Sequence, residues 1–401
     1  MNRELYRDYL YASAVNQKLI GSSVFSELMI TRLISGHRDI FEDGFKEKLL
    51  SSEVSSKSRD KIVKLLDSSD LIKSNAEKIF NNCYNGNIEL ISSGSEFYPW
   101  NFRNSYTFPQ VFYVKGDKEI IKQCDYGSVA CVGSRCPSRY AENATKEIVG
   151  ELTKQGAIIV SGMAEGIDRK SHEVCLNNDG KTIAVLAGGP DNIYPFSNKD
   201  IYERISYNGL ILSEMPPGTK AIKQYFPSRN RLISGISDCT FIAEAGEISG
   251  TLHTASFAAS QGKSVFVLPN TIYADYAKGG LKLILDGAEI LLSKDQIVNE
   301  IRNCAYYKVL DRYNVDILSS HSDSYKSLKL KADKSPDEME DTEWKLLILD
   351  EVSAKPLNVE ESVSIFNLPF YRLAQLFSEL EIEGKLYMDK GKYKVCSKNK
   401  F

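Results

Sequence analysis

Between Ser128 and Leu292, short apolar runs alternate with longer stretches of helical periodicity, and most runs close on a small or turn-forming group. The runs are Ser128 to Val132, Ala157 to Val160, Thr182 to Leu186, Leu210 to Ser213, Cys239 to Ala243, Ser264 to Leu268 and Glu289 to Leu292. Strands this apolar are buried on both faces, and helices between them supply the cover. The rhythm therefore predicts an α/β, Rossmann-like, mostly parallel sheet. Ligands of such sheets bind outside the strand C-terminal ends. Those ends carry Gly133, Ser161-Gly162, Ala187-Gly188-Gly189, Glu214-Met215-Pro216-Pro217, Glu244-Ala245-Gly246 and Pro269-Asn270, small or turn-forming groups expected to line one continuous trough.

Two stretches bring cations to that trough. Gly133-Ser134-Arg135 closes the first run, and Phe226-Pro-Ser-Arg229-Asn230-Arg231 is expected just ahead of a helical segment. Neither carries a nucleophile, a metal cluster or a Walker lysine, so no catalytic residue and no cofactor are assigned. A glycine at a strand end lets a phosphate approach the backbone, and a helix over Tyr140 to Gln155 is expected to point free N–H groups at the same spot. Arginine adds charge-assisted forks that suit phosphate. The expected cradle combines the N–H groups of Gly133, Gly162, Gly189 and Gly250 with the hydroxyls of Ser134, Ser161, Ser249 and Thr251. Arg135, Arg139, Lys170, Arg229, Asn230 and Arg231 complete it. Such a trough follows a sugar-phosphate backbone without reading bases, while Phe226, Tyr140, Tyr194 or Tyr225 could stack one, which favours single-stranded DNA. Structural roles compete at three places. Arg135 could brace its turn against Asp168 or Glu244, Arg231 could hold the helix start, and His172 suits a hydrogen bond better than catalysis.

The flanks differ in character. Leu5 to Ile34 has the apolar stripes of two helices joined at Gly21-Ser22-Ser23, within a helical domain over 1–90 ahead of the Rossmann-like domain at 91–305. A polar stretch rich in Ser, Lys and Asp suggests a linker over 306–341. Beyond it, helical patterns at Glu343 to Val352, Val359 to Phe366 and Leu368 to Glu383 precede a hairpin of Lys385 to Met388 and Lys392 to Cys396, the composition of a winged helix over 342–401. Its terminal lysines suit duplex DNA, and they suit a solvated face or a partner surface as well.

The 401 residues carry a formal charge of −3, so a DNA site must be a local patch rather than a general basic surface. The 8 cysteines show no Cys-x-x-Cys pair, which fits a reduced cytoplasmic protein without a metal site. No apolar stretch is long enough to span a membrane.

Several motifs together resemble the DNA-processing protein A (DprA, also called Smf) family. They are Gly133-Ser-Arg-x-Pro-Ser-x-Tyr140, Ser161-Gly-Met-Ala-x-Gly-Ile-Asp168 with His172, Tyr194-Pro195, Ser213-Glu-x-Pro-Pro-Gly-Thr219, Phe226-Pro-x-Arg-Asn-Arg-x-Ile233-x-Gly235 and Ser249-Gly-Thr-Leu-x-Thr-Ala255. Phe97-Tyr-Pro-Trp100 and Phe108 to Asp117 resemble the family's entry into its Rossmann-like domain, and the helices upstream resemble its domain related to helix-hairpin-helix and SAM-like modules. The resemblance implies a homodimer that binds single-stranded DNA and hands it to the RecA-type recombinase during natural transformation or recombination, with no nucleotide hydrolysis. Two positions depart from the family pattern: Leu281 replaces an asparagine and Ala187 a glycine. Two other readings were weighed. A nucleotide N-glycosidase of the lysine-decarboxylase-like group needs a Pro-Gly-Gly-x-Gly-Thr loop and a following glutamate, whereas Glu244 to Thr251 lacks that turn and continues with Leu252, His253 and Thr254. A nucleotide sensor would hold one small phosphate ligand in the same crevice.

Overall fold

The structure, a computed structural model, describes residues 3–20, 22–31, 33–34, 36–103, 108–319, 341–358, 362, 366, 370–389 and 392–395. Two units are separable, Met1–Asp311 and Arg312–Phe401.

The chain begins with helices α1 (Arg3–Asn16), α2 (Ser22–Ile30), α3 (Phe45–Leu50), α4 (Ser56–Asp67) and α5 (Ser69–Gly86), the first two being the helix pair read from the sequence. Their apolar faces pack around Leu10, Phe25, Leu28, Ile62, Leu65 and Ile79. The same core takes in Leu90 of β1 (Glu89–Ser92) and Val111 and Tyr113 of β2 (Val111–Gly116). The helical segment thus shares its core with the sheet edge and does not stand as a separate 1–90 domain. A buried polar knot reinforces it: Asp8 accepts from His37 Nε2 at 2.7 Å and from Arg38 Nε at 2.7 Å. Against the effect of burial, these hydrogen bonds hold the Asp8 carboxyl below its ordinary range.

The sheet proper follows with α6 (Glu119–Gln123), β3 (Ser128–Val132), α7 (Arg139–Lys154), β4 (Ile158–Ser161), α8 (Ile167–Asn177), β5 (Thr182–Leu186), α9 (Lys199–Asn208), β6 (Leu210–Ser213), α10 (Tyr225–Ile236), β7 (Cys239–Ile242), α11 (Gly250–Ser260), β8 (Val265–Val267), α12 (Lys278–Leu285), β9 (Glu289–Ile290) and α13 (Lys294–Ser319). The nine strands are ordered β1-β2-β6-β5-β4-β3-β7-β8-β9. Only β1 with β2 and β2 with β6 pair antiparallel. Side chains alternate across the sheet: Ala130 and Val132 face Leu232, Ile236 and Ala255 of α10 and α11. Val129 and Cys131 face Val149, Leu152, Val174 and Ile301 of α7, α8 and α13. From β3 the chain runs first to β4 on one side and later returns as β7 on the other. That reversal between β3 and β7 is where an open α/β sheet opens a crevice.

Three expectations need correction. Phe226 to Arg231 do not precede a helix; they form the first two turns of α10, with Pro227 in the first turn where its missing N–H is tolerated. The last strand stops at Ile290 rather than Leu292. Residues 306–319, read as the start of a linker, continue α13. That helix is anchored by Ile297, Val298 and Ile301 in the core and by Lys308, which pairs with buried Asp238. In the second unit, helices Asp341–Ala354 and Phe370–Ile382 accompany an antiparallel hairpin of β10 (Leu386–Asp389) and β11 (Lys392–Val395). The middle helix expected at 359–366 falls outside the described residues except at 362 and 366.

Helix α10 is set tightly. Lys263 Nζ caps its C-terminal end at the carbonyls of Ser234 (2.8 Å), Gly235 (2.5 Å) and Ser237 (2.5 Å). A Cβ added at Gly235 would lie 2.3 Å from the Phe108 ring. Gly235→Ala is therefore expected to cost about 1–3 kcal/mol by overpacking, read as a lower midpoint in urea unfolding; an unchanged midpoint would show that the aromatic cluster gives way freely.

Candidate nucleic-acid interface

At the reversal point a cleft of about 530 Å³ opens among the ends of β3 and β7 and the starts of α10 and α11. A smaller hollow of about 70 Å³ adjoins it at the ends of β4 and β5, lined by Gly162, Leu186, Ala187 and Gly188. Arg135, Ala164, Phe226 and Arg229 border both. The expected single trough is divided: Pro269 and Asn270 line a separate hollow beside Tyr140, and Glu214, Met215 and Pro216 line another with Arg231.

Arg229 is the least ordinary residue in this wall. It is 6% exposed, yet among the described residues no carboxylate lies within ion-pair distance of it. Backbone oxygens hold it instead: Nη1 donates to Gly162 O and, at 2.7 Å, to Val185 O, while Nε donates to Asn230 Oδ1 at 3.0 Å. Burial, with the nearby Arg135 charge, lowers its pKa to about 10, against the opposing pull of Asp168. The group stays cationic at neutral pH and is poorly neutralised. Asp168 is buried beneath the cleft and accepts from the N–H groups of Gly162 at 3.1 Å and Ala164 at 3.4 Å. Burial raises its pKa in spite of Arg229. A Cβ at Gly162 would lie 2.6 Å from Arg229 Nη1 and 2.7 Å from Cζ, so glycine is what lets the guanidinium pass.

Arg135 is exposed, and among the described residues its guanidinium makes no ion pair with Asp168, Glu244 or any other carboxylate. The Phe226 ring is close to both arginines, its centroid 5.8 Å from Arg135 Cζ and 5.5 Å from Arg229 Cζ. Tyr194, 49% exposed, meets Phe226 edge-on at 5.7 Å. Two cations and an accessible aromatic pair therefore share one rim.

The rest of the expected cradle divides. Gly133, Ser134, Asn230, Ser249, Gly250 and Thr251 line the large cleft. Asn230 donates to Gly250 O at 3.2 Å and Thr251 Oγ1 to Gly133 O at 3.0 Å, so these two act as braces. Ser249 caps α11 by accepting from Thr251 N at 3.2 Å, while Gly250 is exposed, with nothing within 4 Å of where a Cβ would sit. Other groups are committed elsewhere. Ser161 is buried, donating to Cys131 O at 2.6 Å. The Gly162 N–H bonds Asp168, and the Gly189 N–H bonds Thr219 O at 2.8 Å. The N-terminus of α7 is taken by the protein itself: Ser138 caps Ala141 N and in turn donates N and Oγ to Glu244. Lys170 pairs with Glu173 at 2.7 Å, and neither it nor exposed Arg139 lines a hollow. Arg231 lies on the opposite side of α10, where Nη2 bonds both Glu214 oxygens at 2.6 Å.

His172 is buried. Thr182 Oγ1 uses its proton on Ile159 O (2.7 Å), so it must accept from His172 Nδ1 (2.7 Å). Burial, reinforced by Arg229, pushes the imidazole down to about 3 and keeps it neutral. Leu281 lines neither hollow. Ile248, Thr254 and Tyr276 also line the large one; Thr254 lies within the Ser249–Ala255 motif and Ile248 just ahead of it, whereas Tyr276 sits in no motif singled out in the sequence. Among the described residues no group of acidic, histidine and cysteine side chains could hold a metal ion, and no helix is long and apolar enough to cross a membrane.

An open doubly wound sheet, mostly parallel, with helices on both faces and a crevice at the β3/β7 reversal defines a Rossmann-like α/β protein. The family model described as DNA recombination-mediator protein A matches residues 89–302, and the chain belongs to that family. It is 37% identical over 221 residues to the DNA processing protein DprA of Bacillus subtilis, covering 55% of this chain and 74% of that one. Protein Smf of Synechocystis is 34% identical over 301 residues, 71% of this chain and 73% of the relative. The X-ray structure of DprA from Streptococcus pneumoniae superposes with a TM-score of 0.60 at 29% identity, covering 72% of this chain and 98% of that one.

The division between Arg229 and Arg231 is testable. Arg231→Ala strands a largely buried Glu214 and should cost about 2 kcal/mol of stability without weakening anion binding at the cleft. Gly162→Ala should displace Arg229 and weaken it. Thermal melts and oligonucleotide titrations of both variants check this, and weaker binding in folded Arg231→Ala would place that arginine in the site.

Proposed function

We propose that the cleft holds single-stranded DNA by its phosphates, with Arg135 and Arg229 as the charged contacts, Ser134, Ser249 and Gly250 as polar neighbours, and Phe226 and Tyr194 receiving a base. The observation that carries this is the pairing of two guanidiniums, neither ion-paired among the described residues, with the half-buried Phe226 ring and the exposed Tyr194 ring in one trough. Phosphate contact plus stacking is how sequence-tolerant single-strand binders work. Membership in the family supports two further steps of the reading: the protein acts as a homodimer, and it delivers the bound strand to a RecA-type recombinase. No step of this reading requires a chemical reaction, so the protein acts here as a binding and loading factor.

The rival nucleotide sensor makes a different demand, since one phosphate ligand would fill the site. Under our reading the affinity for oligothymidylate rises with each few added nucleotides, and a mononucleotide competes poorly; saturation by a mononucleotide would overturn it. Arg135→Ala should lower oligonucleotide affinity about tenfold and leave the melting temperature unchanged, because the exposed guanidinium supports nothing in the fold. A large fall in melting temperature with unchanged affinity would assign it a bracing role. Stimulation of RecA-driven strand exchange by the purified protein tests delivery, and no stimulation would remove that step alone.

A further inference from the structure

The cleft has a second rim that the phosphate reading leaves unused. Ile248 is 102% exposed and Tyr276 46% exposed, and both line the same hollow as Arg135, Arg229 and Gly250. Ile272 and Tyr273, 69% and 89% exposed, extend this apolar lip along the adjoining loop. Exposed apolar groups gathered at a binding cleft mark a contact surface.

The lip is built rather than incidental. Tyr276 sits in the 3₁₀ turn Asp275–Ala277, closed by Ala277 N to Ala274 O at 3.0 Å and by the Asp275–Lys278 pair at 2.6 Å. Just beyond, the Gly280 N–H bonds Ala245 O at 3.0 Å, and a Cβ at Gly279 would meet Gly246 O at 2.2 Å. The turn is therefore fastened to the loop leaving β7. Ile248 stands next to Ser249, the N-cap of α11, so its position follows from the cap.

We propose that this lip, Ile248 with Tyr276, holds the unpaired bases of the strand whose phosphates lie on Arg135 and Arg229. The inference rests on the DNA reading above and deepens it. Phosphates engage the guanidinium rim, where Phe226 and Tyr194 receive one base, further bases turn to the apolar rim, and a duplex, whose bases are paired inward, has none to give. Selectivity for single strands then resides in Ile248 and Tyr276 together with that aromatic pair, rather than in the arginines.

The test compares an oligothymidylate with an abasic oligonucleotide of equal length, each titrated by fluorescence anisotropy into wild type, Ile248→Ser, Tyr276→Ala and the double variant. Wild type should prefer the base-bearing strand. The double variant should lose about 5- to 150-fold of that affinity, keep its affinity for the abasic strand and keep its melting temperature. Equal losses on both strands, or no loss on either, would overturn the proposal. So would sedimentation showing that the variants dissociate a dimer held together by this lip. A wild type that binds neither strand would instead sink the DNA reading on which the proposal stands.

Discussion

Everything distinctive about the cleft depends on how one guanidinium is held. Arg229 enters the sheet end through the gap left by the missing side chain of Gly162 and hangs from two backbone carbonyls. Backbone carbonyls satisfy hydrogen-bonding capacity but cancel only part of a unit charge. A carboxylate in direct contact would have cancelled it and closed the site. Asp168, which could have played that role, is instead turned toward the amides of Gly162 and Ala164 and acts at longer range. The result is a buried cation whose remaining field points outward, where an incoming anion relieves it.

This arrangement suits a protein whose overall charge is −3. A chain with a general basic surface binds polyanions wherever they land, whereas on the proposed reading attraction comes from one cleft. The protein's own carboxylates are kept busy nearby: Glu244 on Ser138, Glu214 on Arg231, Glu173 on Lys170. The two ion pairs offset the negative charge of Glu214 and Glu173, while Glu244 stays anionic and is held in place by the Ser138 hydrogen bonds. The Phe226 ring lies near both Arg135 and Arg229 and offers each a polarisable face.

The sheet was legible because its parallel strands are apolar on both faces, and the ends of those strands carry small residues that mark the crevice. Several residues of the motifs, among them Gly133, Arg135, Arg229, Asn230 and Gly250, come together in one cleft. What the chain did not disclose was direction. Arg229 and Arg231, two residues apart on a helix, point roughly 200° apart, so one enters the cleft and the other leaves it. That separation was hidden while the segment was read as preceding the helix, although Pro227 is a first-turn residue. Gly162 reads as a phosphate-binding glycine, and its actual service to Arg229 depends on a partner 67 positions away. The α7 N-terminus likewise looks like a free anion site until Glu244, 106 positions on, is seen to occupy its cap. Local pattern fixes elements, and long-range pairing decides which polar groups remain available.

The central claim is that Arg229 meets a phosphate, and the salt dependence of binding tests it most directly. The slope of log affinity against log salt counts the phosphates neutralised, at about 0.7 per contact on a single strand. With Arg229→Gln, which keeps donors but removes the charge, the account predicts a slope shallower by about 0.7 than that of wild type. An unchanged slope, with the variant folded, would mean that this guanidinium never touches the strand.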